Sequence, residues 1–183
     1  MIKVYLSIVL VLSLSACGQT QEKDIPKRTL VKNVHVVDVL NGTILENQNI
    51  VVGAKQILEV TEVLPSGEFQ AVIDGDGAYV VPGLTEMHAH IPSPPTSQER
   101  IEEILFLYLS GGITTIRGML GHPDHLKLRE EVSKGTVLGP RIYTSSPSLN
   151  GNTVRTGVEA VEKVTQYASE GYDFLKIHPG IRL

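Results

Sequence analysis

The sequence predicts an α/β protein in which a parallel sheet with helical crossovers follows a small, mostly antiparallel β module. Three observations predict it. Short β-favouring runs separated by turn residues fill residues 29–73. After Asp74-Gly75-Asp76-Gly77 the rhythm changes to strand then helix, repeated along the chain. A His-x-His pair, His88 and His90, stands near the start of that second region.

In the first region the runs are Thr29-Leu30-Val31, Val34-His35-Val36-Val37-Asp38-Val39, Gln48-Asn49-Ile50-Val51-Val52-Gly53, Gln56-Ile57-Leu58-Glu59-Val60 and Ala71-Val72-Ile73-Asp74. Asn41-Gly42 is a strong hairpin-turn signal. His35 lies inside this module and reads as a packing or surface histidine.

In the second region a strand at Val80 leads to a helix over residues 100–109, with Ser97 as its N-cap and Gly111-Gly112 as its stop. Ile113-Thr114-Thr115-Ile116-Arg117 is β-branched and strand-like. Residues 124–134 form a charged amphipathic helix, and Arg141-Ile142-Tyr143-Thr144-Ser145 a third strand. Residues 158–170 form a third helix ended by Gly171, and Tyr172-Asp173-Phe174-Leu175-Lys176-Ile177 a fourth strand. Such alternation implies parallel strands with right-handed crossovers.

The first seventeen residues are a separate matter. Lys3 gives a basic start, and residues 4–14 are an apolar run of about eleven residues, short for a membrane span but suited to a signal-peptide core. The run ends in Leu14-Ser15-Ala16-Cys17, which looks like a bacterial lipobox with Cys17 as the lipidated mature N-terminus. Cys17 is the only cysteine, so no intramolecular disulfide can form. A general secretory signal with an incidental cysteine is the alternative. Gly18 in place of an aspartate resembles the pattern of lipoproteins sent on to the outer membrane, periplasmic side. The expected divisions are a signal peptide over 1–16, a polar tether over 17–28, the β module over 29–78 and the strand–helix region over 79–183.

The net charge of −4 over 183 residues, without a basic patch or a tryptophan, gives no sign of a nucleic-acid partner. The chemistry concentrates in Pro82-Gly83-Leu84-Thr85-Glu86-Met87-His88-Ala89-His90. Residues two apart on a strand share a face, so two imidazoles are aimed at one point, which suits a divalent metal such as zinc. With six histidines in the chain, an accidental pair is the competing reading. His122 and His125 flank Pro123 and Asp124 at a helix start; joint ligation is open to them, but a solvated helix terminus is the simpler reading.

These segments resemble the amidohydrolase superfamily, in particular the branch with imidazolonepropionase-like enzymes and metal-dependent Xaa-Pro dipeptidases. The first-strand motif is Pro82 to His90, similar to Pro-Gly-Leu-Ile-Asp-x-His-x-His. Gly112-Ile113-Thr114-Thr115-Ile116-Arg117 and Gly139-Pro140-Arg141-Ile142 are similar to the second and third strands. Gly171-Tyr172-Asp173-Phe174-Leu175-Lys176 is similar to the fourth, whose lysine is a metal ligand in binuclear members. The implied fold is the N-terminal half of a TIM (β/α)8 barrel behind the β module. The implied ligands are His88, His90 and a carboxylated Lys176, holding one or two divalent ions, zinc by preference. The implied activity is hydrolysis of C–N bonds in small amide or dipeptide-like substrates. Two departures stand out: Glu86 replaces the usual aspartate, and Gly118 stands where an aspartate usually follows Arg117.

Alternation puts Phe174, Lys176 and His178 on one side of the fourth strand and Leu175 and Ile177 on the other. If the apolar pair faces the helices, Lys176 points inward, where burial favours the uncharged amine that reacts with carbon dioxide. A surface lysine on an edge strand is the alternative. His178 reads either as a group supporting the ligands or as polar filling at the strand end.

A complete barrel of this kind has eight strands and roughly 250 residues. The histidines of strands five and six and the strand-eight aspartate that serves as general base have no counterpart here. No catalytic base is therefore assigned. The sequence reads as the N-terminal part of an enzyme, expected to be inactive and to fold poorly by itself. The rival expectation is a non-catalytic exported lipoprotein, a remnant of such an enzyme.

Overall fold

The computed structural model describes residues 27–181; the apolar leader, Cys17 and most of the tether lie outside them. The chain divides after Val80 into two compact units.

The first unit is a four-stranded sheet of β1 (Arg28–Asp38), β2 (Thr43–Gly53), β3 (Gln56–Thr61) and β4 (Ala71–Val80), in the order β3-β2-β1-β4. β1 pairs antiparallel with β2, and β2 with β3, whereas β4 runs parallel to β1. The hairpin forms at Asn41-Gly42. Gly42 takes φ +67° and donates its N–H to the Asp38 carbonyl at 2.8 Å. The Asp38 carboxylate accepts the Asn41 side-chain amide at 2.6 Å, which lowers its pKa most, and the N–H groups of Asn41 and Leu40 at 3.1 and 3.0 Å. Leu30, Val34, Ile50 and Val51 form the buried interior.

Two expectations change here. The two runs at the start of the module are one strand, bulged at Asn33, which takes φ 56°. Asp74-Gly75-Asp76-Gly77 does not end the sheet. It is the wide side of the same bulge, because Lys32 pairs with Asp74 while Val34 pairs with Ala78. Gly75 is required there: a Cβ would lie 2.2 Å from Cγ1 of the buried Val34. Ala78, Tyr79 and Val80 therefore belong to this sheet and do not lead the second one. His35 packs its ring 5.1 Å from that of Tyr79, and its Nδ1 accepts the Asn47 N–H at 3.3 Å.

The second unit runs β5 (Leu84–Ala89), α1 (Gln98–Ser110), β6 (Ile113–Gly118), α2 (Pro123–Lys134), β7 (Arg141–Thr144) and α3 (Gly157–Glu170). The strands pair in parallel in the order β5-β6-β7. Ser97 caps α1 by accepting the Arg100 N–H at 3.2 Å. Gly135 and Gly171 end α2 and α3 in left-handed conformations that favour glycine. Ala89, Ile91, Ile101, Leu105, Ile116, Leu128, Val137 and Ile142 make one core between sheet and helices. Gly83 lets the chain enter β5 beside β6, since a Cβ would stand 1.9 Å from Thr114 Oγ1.

The fourth strand is not continuous. Residues 173–178 run parallel to the chain after β7 and meet it in two isolated bridges, Ser145 with Phe174 and Leu149 with Ile177. Four residues on one side span three on the other, so the ladder cannot stay in register. Leu175 and Ile177 are 36% and 67% exposed, so helix packing does not cover them as expected. α3 likewise buries none of its residues.

Candidate metal centre

β5 ends at Ala89, so His88 is its penultimate residue and His90 the first beyond it, both at the carboxyl end of a parallel strand. Ala89, between them, turns into the core at 1% exposure, which sends both histidines away from it. Their ring centroids lie 5.3 Å apart at an interplanar angle of 42°. The structure thus brings the two imidazoles together on an exposed face. Open ends of parallel strands are where α/β sheets place ligands.

The backbone around the pair is tied at several points. The Glu86 carboxylate accepts the His88 N–H at 2.7 Å through Oε1. The Ala89 carbonyl accepts the Met119 N–H at 2.8 Å, across the end of β6. Further on, the Pro92 carbonyl lies 3.3 Å from His125 Nε2.

Lys176 is 9% exposed, which fits an inward rather than a surface lysine. Its N–H donates to Ser146 Oγ at 3.2 Å and its carbonyl accepts the Leu149 N–H at 2.8 Å, so both faces of its peptide are held. Asp173, three residues earlier, accepts Arg129 Nη1 at 2.7 Å and the Thr144 N–H at 2.8 Å on one oxygen. Arg129 Nη2 also donates to the Gly171 carbonyl at 3.0 Å. Arg117 lays its guanidinium 4.5 Å from the centre of the Phe174 ring, a cation–π contact between β6 and the segment that carries Lys176. Along the sheet, three strand spacings separate that segment from β5, about 14 Å. The structure brings His88 and His90 together, and Lys176 stands on the segment that bridges to the chain after β7.

His178 is exposed, and its N–H donates to the Leu149 carbonyl at 2.8 Å. With Asn150, Asn152 and Gly180 it borders an open cleft of about 370 Å³. His122 and His125 do not form a metal pair. They cap α2 reciprocally: His122 Nδ1 accepts the Asp124 N–H at 3.3 Å, and His125 Nδ1 accepts the His122 N–H at 3.2 Å. Nor is that terminus simply solvated, because His125 is only 2% exposed. Burial above all pushes its imidazole pKa down.

The donor chemistry of His88 and His90 fits two ligands of a divalent ion. Among the described residues, no group of three or more His, Cys, Asp or Glu side chains is placed to hold one. Sequence reasoning missed Glu86 and His125 as partners of this strand end. The spacing Glu-x-His carries little signal, because the bond to the amide two residues on is typical of aspartate and asparagine rather than glutamate. Nothing local marks His125, which lies 33 residues from Pro92.

Known proteins share this architecture. The chain is 36% identical over 89 residues to a dihydroorotase of Streptococcus thermophilus, covering 48% of this chain and 20% of that protein. It is 31% identical over 135 residues to an adenine deaminase of Lactobacillus delbrueckii subsp. bulgaricus, covering 70% of this chain and 23% of that protein. The crystal structure of a prolidase complexed with N-methylphosphonate-L-proline superposes with a TM-score of 0.71 at 26% identity, over 82% of this chain and 46% of that one. The chain thus spans about a fifth of the length of the curated relatives and under half of the solved one. The sequence profile of the Amidohydrolase family matches residues 79–179, more than half of the chain and the whole stretch from β5 to the segment bearing Lys176. By that match the chain belongs to the amidohydrolase family.

Proposed function

We propose that the protein is a metal-dependent hydrolase of C–N bonds in small amide or dipeptide-like substrates, of which this chain supplies the first four strand positions of the barrel and the preceding β module. The observation that carries this is the contact between the His88 and His90 rings at the carboxyl end of β5, in a chain of this family. His88 and His90 hold the first divalent ion, zinc by preference. Lys176 would join as a carbamate: its neutral amine nitrogen bonds the carbon of CO2 and releases one proton, leaving a single negative charge shared by two oxygens as a ligand for a divalent ion. A divalent ion held there supplies Lewis acidity toward the scissile carbonyl and a water acidified for attack. The protein's part is to fix the ligands, which Glu86, Ser146 and the Arg129–Asp173 pair do through the bonds given above. His178, two residues after Lys176, borders an open polar cleft and is kept as a group that supports the ligands.

The test is metal content after loading with zinc or manganese. The intact parent protein should retain metal through dialysis, and its His88→Ala and His90→Ala variants should not. Equal metal in all three would overturn the reading.

A second reading, a non-catalytic lipoprotein, is favoured by the lack of a third His, Cys, Asp or Glu ligand beside the pair among the described residues. On either reading, the 183-residue chain alone should show no turnover. Metal-dependent amide hydrolysis by that chain would exclude the non-catalytic reading.

A further inference from the structure

We infer that His125 is a positioning residue for the backbone that carries His90, an inference that rests on the metal-site reading above. Both of its ring nitrogens are engaged, with the His122 N–H on Nδ1 at 3.2 Å and the Pro92 carbonyl beside Nε2 at 3.3 Å. An amide N–H only donates and a carbonyl only accepts. The ring is therefore neutral, with its proton on Nε2, and links the start of α2 to the chain leaving β5.

That link matters because of where Pro92 stands. Proline has no N–H, so the Pro92 carbonyl is the only backbone polar group that this residue can offer as an anchor. The carbonyl of Ala89 is held by the Met119 N–H at 2.8 Å, and Ile91 is 4% exposed in the core. His90 thus sits in a short bridge pinned on one side by Met119 and on the other by the buried Ile91 and, one residue on, by the His125 link to Pro92. A cavity of about 290 Å³ lined by Pro92, Pro94, Thr96 and His125 adjoins the link, so the loop has room to shift once the link is cut. Cutting it should move His90 while leaving His88 on the bond from Glu86.

Two substitutions separate this role from helix capping. His125→Asn keeps an acceptor near the position of Nδ1 but stops short of Pro92. His125→Gln reaches Pro92 with a donor while its oxygen serves the cap, as glutamine does at this helix position. Zinc affinity, measured by chelator competition on folded protein, should fall about tenfold in His125→Asn, the scale seen when groups supporting a ligand are removed. It should recover to within about threefold in His125→Gln. The cobalt(II) absorption spectrum of His125→Asn should change with it. If His88→Ala abolishes zinc binding but His125→Asn binds as wild type does, the inference fails and the metal site stands. If wild type and His88→Ala bind zinc alike, the metal-site reading itself fails. A measurement without mutation also decides: the nitrogen-15 shifts of His125 should report the Nε2–H tautomer, and an Nδ1–H tautomer would overturn the inference.

Discussion

Glu86 Oε1 accepts the backbone N–H of His88 at 2.7 Å, so the residue that departs from the family's aspartate is bonded directly to a candidate ligand. An aspartate makes the same bond to the amide two residues on. The extra methylene of glutamate therefore changes the path of the side chain and not its partner. Glu86→Asp should keep the His88 amide protected from hydrogen exchange. Glu86→Ala should expose it and cost about 1 kcal/mol in urea unfolding. Equal protection in Glu86→Ala would show that the carboxylate does not hold this turn.

The second prediction is the pH dependence that His125 imposes. Burial lowers its pKa from the ordinary 6.5; the Pro92 carbonyl opposes, His122 adds to the lowering and Asp124 opposes it. The unfolded chain therefore binds this proton more readily than the folded one, so stability rises with pH through that window. The contribution is complete above about pH 6.5 and is lost as pH falls toward the lower folded value. Melting temperatures between pH 8 and 5 should show this slope, and His125→Gln should flatten it. An unchanged slope in the variant would assign the effect to another group.

The third prediction concerns the segment that presents Lys176. Arg129 and Asp173 are 30% and 28% exposed, so solvent screens their charge attraction, while the Thr144 N–H adds a directional bond to the same carboxylate. Asp173→Ala should cost about 1–2 kcal/mol. Exchange should quicken at the amides of Lys176 and Leu149, next to the two isolated bridges. Arg129→Lys should do less, because it keeps the charge but loses the second bond to Gly171. Unchanged exchange at Lys176 in Asp173→Ala would mean that the bridges hold by themselves.

The fourth prediction is that Cys17 is lipidated, placing the mature protein on the periplasmic side of a bacterial membrane. A single acyl chain anchors marginally, whereas several on one terminus hold firmly. Cys17→Ala should move the protein to the soluble fraction or leave an unprocessed precursor. Identical fractionation and processing of both forms would refute it.

Local sequence determined a good deal of this protein. Caps and stops at Ser97, Gly111 and Gly171 place the ends of α1 and α3 within a residue or two, because capping depends on neighbours only a turn away. The period of two on either side of Ala89 was enough to put His88 and His90 on one face, although the ladder to β6 is irregular between Glu86 and Ala89. Tertiary structure decided what depends on register between distant segments. Only pairing with β1 shows that Asp74 to Gly77 is a bulge and that Tyr79 belongs with His35. Only the mismatch of four residues against three breaks the strand expected at residues 172–177 into two bridges. Only the meeting of α2 with the loop after β5 turns His125 from a helix-end residue into a buried link to Pro92, because that bond joins groups 33 residues apart and no local pattern encodes it.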